Sequence, residues 1–293
     1  MKNTNIPEEA FDWYDEYAHG GMDRRTFMKK LSGLVALGYS MSVLTSALLP
    51  NYALAEEVSF NDPDIKASYQ SFPSPQGYGE GKGYLVIPNN HTNKMPIVLV
   101  IHENRGLNPY VKDVARRLAK AGFIAFAPDA LFSLGGYPGN DDKGRAMQKT
   151  LERDKIQHDF VAAAKFIKSH TLSNGKLGAI GFCFGGYIVN YLAAIDSNLI
   201  DAGVPFYGTP AAKELRINIK APLMIQLGEL DKRVNASWPE YKADLIANNV
   251  DYVMHKYPNA KHGFHNDSTG RYDKENAELA WSRSLTFFKA KLV

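Results

Sequence analysis

From residue 69 onward, short apolar runs alternate with stretches whose apolar positions recur at helical spacing. Residues 83–87 read as an early strand. Residues 96–102 (PIVLVIH) read as a central one, because their side chains are apolar on both faces. Over 110–121, Val111, Val114, Ala115, Leu118 and Ala119 form a helical stripe that stops at Gly122. A strand follows at 123–127, ended by Pro128, and then a Gly-, Asp- and Asn-rich stretch at 134–145 that predicts a loop over one end of the sheet. An amphipathic helix is predicted over 150–169. After it come strand 177–181, helix 186–195, strands 202–207 and 222–227, helix 238–248, strand 252–257 and helix 274–292. Regular strand–helix alternation with continuously apolar strands predicts an α/β fold, a mostly parallel sheet with helices on both faces. No internal repeat or linker interrupts residues 60–293, so residues 56–293 are expected to form a single domain.

The first 55 residues have a different pattern. Asp23-Arg24-Arg25-Thr26-Phe27-Met28-Lys29 resembles a twin-arginine export motif. It is followed by a mildly apolar stretch over 31–49 and by Ala53-Leu54-Ala55, a small-x-small cleavage pattern before Glu56. The expectation is an export leader over 1–55, a partner export machinery, and a mature protein in the periplasm. The run before the arginines is acidic (Glu8, Glu9, Asp12, Asp15, Glu16) where leaders are usually basic. The alternative is an uncleaved segment, either an anchor or a helix packed on the domain of a cytoplasmic protein.

Composition narrows the chemistry. A formal charge of +3, with both signs interspersed, leaves no nucleic-acid footprint. One cysteine excludes an intramolecular disulfide and a thiolate-rich metal cluster. That cysteine lies in Gly181-Phe182-Cys183-Phe184-Gly185-Gly186, between a predicted strand and a predicted helix, the context of a nucleophile elbow. A phosphate-cradling loop is the competing reading, but no Lys-Ser/Thr follows the glycines and dinucleotide spacing is lacking. Asp231 falls in the loop after strand 222–227, and His262 in the loop after strand 252–257. The order Cys, Asp, His is the chain order of an α/β-hydrolase triad. His262-x-x-His265 with Asp267 has metal-ligand spacing, but the triad already uses His262, so no metal or cofactor is assigned. His102 reads as a packed strand-end residue.

Gly181–Gly186, Gly228-x-x-Asp231, His262-Gly263-Phe264 and His102-Glu103-Asn104-Arg105-Gly106 together resemble the dienelactone hydrolase family, from about residue 84 to the C-terminus. The resemblance implies an α/β-hydrolase fold with an eight-stranded sheet. It implies attack by Cys183 on a small ester or lactone, with His262 as base and Asp231 as its orienting acid. It also implies that Glu103 contacts the resting thiol. The N–H groups of Phe184 and Asn104 are the expected oxyanion donors. Family members hold a substrate carboxylate with arginines, one of them at the position of Asn266. Arg105, Arg145 and Arg271 are the remaining candidates, and Asn266 predicts that neutral esters compete well with anionic ones. Acyl transfer to an acceptor other than water, a non-catalytic ligand-binding role and thiol redox sensing are the alternatives. The lack of a resolving cysteine argues against the last.

Overall fold

The computed structural model describes residues 6–91 and 93–293. Its centre is an eight-stranded sheet in the order β1-β2-β4-β3-β5-β6-β7-β8. The strands are β1 (Ile65–Ser74), β2 (Gly79–Pro88), β3 (Met95–Ile101), β4 (Ile124–Pro128), β5 (Ser173–Phe182), β6 (Ala202–Phe206), β7 (Leu223–Gly228) and β8 (Tyr252–Tyr257). Only β2 runs against its neighbours, antiparallel to both β1 and β4; every other pairing is parallel. β3 shows why the sheet is covered twice. Ile97, Leu99 and Ile101 enter one apolar core while Val98 and Val100 enter the other, as the two-residue period of a strand requires.

The first core is roofed by α7 (Arg153–Lys168), α8 (Phe184–Ile195) and α10 (Trp238–Ala247), and the second by α5 (Pro109–Lys120) and α11 (Lys274–Leu292). Helix α5 starts where Asn108 accepts a hydrogen bond from the Val111 N–H and Pro109 stands at the first helical position.

Two expectations change. Strand β1 was not legible, because most of its side chains are exposed or half-buried and no apolar alternation marks it. The expected loop at 134–145 begins at the end of a 3-10 turn (Phe132–Leu134) and runs into the start of helix α6 (Asp141–Gln148). The polar residues there are a helix start: the Asn140 side chain accepts from the Lys143 N–H. Gly144 is inside the helix because a Cβ there would meet the Arg105 carbonyl oxygen at 2.3 Å.

The described part of the expected leader, residues 6–55, is helical. These residues form helices α1 (Glu8–His19), α2 (Arg24–Ala36), α3 (Met41–Leu48) and α4 (Tyr52–Ala55), and they pack on the domain. Tyr14, Tyr17, Phe27, Leu31, Leu34 and Leu44 build a small core of their own, with the Tyr17 and Phe27 rings stacked at 4.8 Å. The acidic run is the polar face of α1, which ends at Gly20 in the left-handed conformation. The next helix is capped by Asp23, whose carboxylate accepts from the Thr26 N–H. Among the described residues, no helix is long and apolar enough to cross a membrane.

Candidate active site

The tight turn between β5 and α8 presents Cys183 at φ 55° and ψ −110°. A side chain in this region is strained, and the surrounding glycines make the turn possible. A Cβ on Gly181 would lie 2.2 Å from the Gly185 carbonyl oxygen, and one on Gly185 would lie 2.2 Å from that of Ile101. Backbone cannot yield as a flexible side chain can, so the elbow packs against its neighbours only because both positions lack a Cβ. The sulfur sits at the N-terminus of α8, where the helix dipole favours an anion.

His262 comes from the loop after β8 and Asp231 from the end of β7. The imidazole Nδ1 lies 2.5 Å from Asp231 Oδ2. The other Asp231 oxygen accepts from the Val234 N–H at 3.1 Å, so this carboxylate caps α9 (Lys232–Asn235) and orients the histidine at once. The remaining ring nitrogen, Nε2, is buried and has no hydrogen-bond partner among the described residues.

A residue from the N-terminal segment completes the cluster. His19 Nε2 lies 3.2 Å from Cys183 Sγ, and its Nδ1 contacts the Asp15 carbonyl oxygen at 2.8 Å and carboxylate at 3.3 Å. The ligating atoms of His19, Cys183 and His262 all fall within 4.8 Å of one another, a donor set that could also hold a metal ion. Burial by itself would raise the cysteine pKa; the charges of His19 and then His262 outweigh it and lower the thiol to about 5. For His262, burial acts downward, but Asp231, Asp15 and the thiolate raise it to about 10. His19 is likewise raised against burial, by the thiolate and Asp15. These shifts favour a thiolate beside protonated imidazole.

Cys183 opens into a pocket of about 490 Å³. Its wall includes His19, Asn104, Phe184, Tyr187 and Tyr207, and its rim carries Arg145, Lys149, Arg153 and Arg233; none of the lining residues is a carboxylate. A second cavity of similar volume lies between Tyr52–Phe60 and α5, away from the sulfur.

Several residues expected at the site do other things. The Glu103 carboxylate accepts from Asn266 Nδ2 at 3.1 Å, and among the described residues it makes no hydrogen bond to Cys183. Asn266 is therefore beneath the site, its Oδ1 held by Ser268, and does not line the pocket. Arg105 is buried against Asp141 and the Tyr14 hydroxyl, and Arg271 against Asp15. Arg145 does line the pocket, but it also donates to the Tyr17 carbonyl and to Asp142. His265 is held neutral: burial lowers its pKa to about 3, and its Nδ1 contacts the Tyr110 hydroxyl. Asp267 pairs with Arg117 instead, so the His262-x-x-His265 set does not converge. His102 is the packed strand-end residue expected, its Nε2 accepting from the Ala130 N–H. Sequence reasoning missed His19, Lys149, Arg153 and Arg233. For His19 the signal was there, in the helical acidic run that suits a leader poorly.

The sheet, the elbow and the Cys–Asp–His order define an α/β-hydrolase. Residues 82–292 match the sequence model of the dienelactone hydrolase family, and the chain belongs to that family. Residues 1–36 match a separate model described as YqhI-like. The chain is 62% identical over 109 residues to a candidate hydrolase fragment of Escherichia coli (strain K12), YghX, covering 37% of this chain and 93% of that one. It is 35% identical over 221 residues to a candidate carboxymethylenebutenolidase of Aquifex aeolicus (strain VF5), covering 72% of this chain and 94% of the relative. The crystal structure of a candidate dienelactone hydrolase from Klebsiella pneumoniae superposes with a TM-score of 0.67 at 27% identity, covering 77% of this chain and 98% of that one. The protein is a hydrolase of the dienelactone hydrolase, carboxymethylenebutenolidase-like type.

Proposed function

We propose that the enzyme cleaves a small ester or lactone through a thioester on Cys183. The observation that carries this reading is the Cys183 sulfur at the elbow, on the wall of an open pocket and beside an Asp231-oriented His262. Thiolate attack on the carbonyl carbon builds a tetrahedral oxyanion beside the Phe184 and Asn104 N–H groups, and its collapse expels the alkoxide. A neighbouring imidazolium protonates that alkoxide, and the imidazole so formed takes a proton from the water that cleaves the thioester. The test is hydrolysis of a panel of p-nitrophenyl esters and lactones, with mass spectrometry of the quenched enzyme. An acyl adduct on Cys183 is the expected intermediate. Turnover with an adduct on another residue would refute the mechanism.

The pocket's charge supports an anionic substrate, in place of the neutral preference that Asn266 suggested. Lys149 and Arg153 are exposed at the rim, so they attract a carboxylate from solution rather than clamp it. Changing both to alanine should lower kcat/KM for a carboxylate-bearing ester by about fivefold, since exposed charges are worth roughly 1 kcal/mol. A neutral ester of the same size should be unaffected, and added salt should erase the difference. An equal loss on both substrates would reject the charge argument.

Export through the twin-arginine route is proposed with the segment retained on the active enzyme. Arg24 and Arg25 are exposed at the start of α2, open to a receptor. Changing both to lysine should hold the protein in the cytoplasm, read by fractionation; unaltered location would remove the proposal.

A further inference from the structure

Helix α1 carries a carboxylate–imidazole pair that reaches the nucleophile beside His262. We propose that Asp15 and His19 are a second acid–base dyad of the active site, so that the N-terminal segment is part of the catalytic apparatus. The inference rests on Cys183 being the nucleophile.

Both histidines are built alike. Each turns Nδ1 to an aspartate, Asp15 for His19 and Asp231 for His262, which fixes the tautomer that presents Nε2 to the sulfur. The rings meet edge to face at 4.6 Å. The placement of α1 is over-determined. Asn104 donates to the Ala18 carbonyl at 2.9 Å, Arg145 to the Tyr17 carbonyl at 2.9 Å, Arg105 to the Tyr14 hydroxyl at 3.0 Å and Arg271 to Asp15 at 3.2 Å. Two of these arginines, Arg105 and Arg271, are thereby committed to holding the helix. His19 is not a plug, because it and Cys183 line the same open pocket. The segment also has a sequence pattern distinct enough to match a family model of its own over residues 1–36.

The chemistry balances with His19 as the proton carrier of acylation. In the resting enzyme its imidazolium holds a proton and Cys183 is a thiolate. The S–C bond forms, the C–O bond of the ester breaks, and the His19 Nε2 proton passes to the departing alkoxide, which leaves as an alcohol. A water then attacks the thioester, giving one proton to the now neutral His19 and its hydroxyl to the acyl group. The C–S bond breaks and the acid departs from the restored thiolate. A lactone follows the same steps, with the hydroxyl remaining on the acyl chain. His19 thus gives and regains one proton per cycle, while His262, held by Asp231, keeps its proton beside the sulfur.

The test uses the full chain with His19→Ala, Asp15→Asn and His19→Gln; the last keeps a side chain of similar reach that cannot titrate. Cys183 alkylation by iodoacetamide is followed against pH, and acylation is followed as the burst of p-nitrophenol. The intact enzyme should alkylate with a midpoint near pH 5. In His19→Ala and His19→Gln the midpoint should rise by at least about one unit, and the burst rate should fall by about a hundredfold. Added imidazole should restore part of the burst in His19→Ala. An unchanged alkylation profile and burst in His19→Gln would overturn the proposal, and so would faster hydrolysis, which would make α1 an inhibitor. Loss of wild-type activity to 1,10-phenanthroline, restored by Zn²⁺, would overturn it in favour of a metal on His19, Cys183 and His262. Turnover that survives Cys183→Ala would instead reject the nucleophile itself.

Discussion

Cys183→Ala should lower kcat/KM on any cleaved ester by at least about 10⁴-fold, because members of one catalytic unit fail together. His262→Ala should cost a comparable factor, and the double variant should be little worse than either alone. The physical reason lies in the pair: the adjacent imidazoles favour the thiolate, and the thiolate and Asp231 favour protonated His262. The acid limb of kcat/KM should accordingly fall near pH 5, where the thiolate takes up its proton, and the alkaline limb near pH 10, where His262 loses one. Steady-state kinetics on purified variants checks this. A Cys183→Ala enzyme that keeps a tenth of its rate would mean that the sulfur is not the nucleophile.

Asp141→Ala should cost about 3–5 kcal/mol of stability, the scale of stranding a buried charge. Asp141 accepts from Arg105 at 2.8 Å, from the Tyr52 hydroxyl at 2.7 Å and from the Tyr137 hydroxyl at 2.8 Å. The Arg105 side chain is 5% exposed and that of Asp141 11%, so solvent can do little to replace the lost partner. Arg105 also holds Tyr14 of α1, and Tyr52 belongs to α4, which makes Asp141 the hub that fastens both ends of the N-terminal segment. Urea unfolding should show the loss, and trypsin should cut more readily at Arg24 and Arg25. Pairing Asp141→Leu with Arg105→Met should recover much of the stability, since it removes both charges together. If Asp141→Ala alone unfolds at the same urea concentration as the parent, the hub is of no consequence.

The domain was largely legible along the chain because its elements are written locally. β8 and α11 fall where the apolar pattern places them, and β3 within a residue at each end. An apolar run of strand length or a helical stripe needs no knowledge of its neighbours. Strand β1 escaped because an exposed edge strand has little apolar pattern to show. The elbow was legible for a similar reason, since a cysteine among glycines between a strand and a helix is a local constraint.

Direction was a different matter. Asn266 occupies the position that the resemblance singled out, yet it points at Glu103, away from the pocket. Arg153 and Lys149 reach the rim from elements whose sequence says nothing about a substrate. The clearest case is residues 6–55. Apolar residues after two arginines fit a leader, and the same residues fit three packed helices. In the structure these residues make contacts between positions far apart in the chain, such as Asp15 with Arg271, Ala18 with Asn104 and His19 with Cys183. By itself the sequence determined the α/β sheet, the cysteine elbow and the order Cys183, Asp231, His262, because periodicity and turn chemistry act over a few residues. Only the tertiary structure decided which charges line the pocket and which are buried as struts, and that a second histidine stands at the sulfur, because those follow from long-range packing that no local pattern encodes.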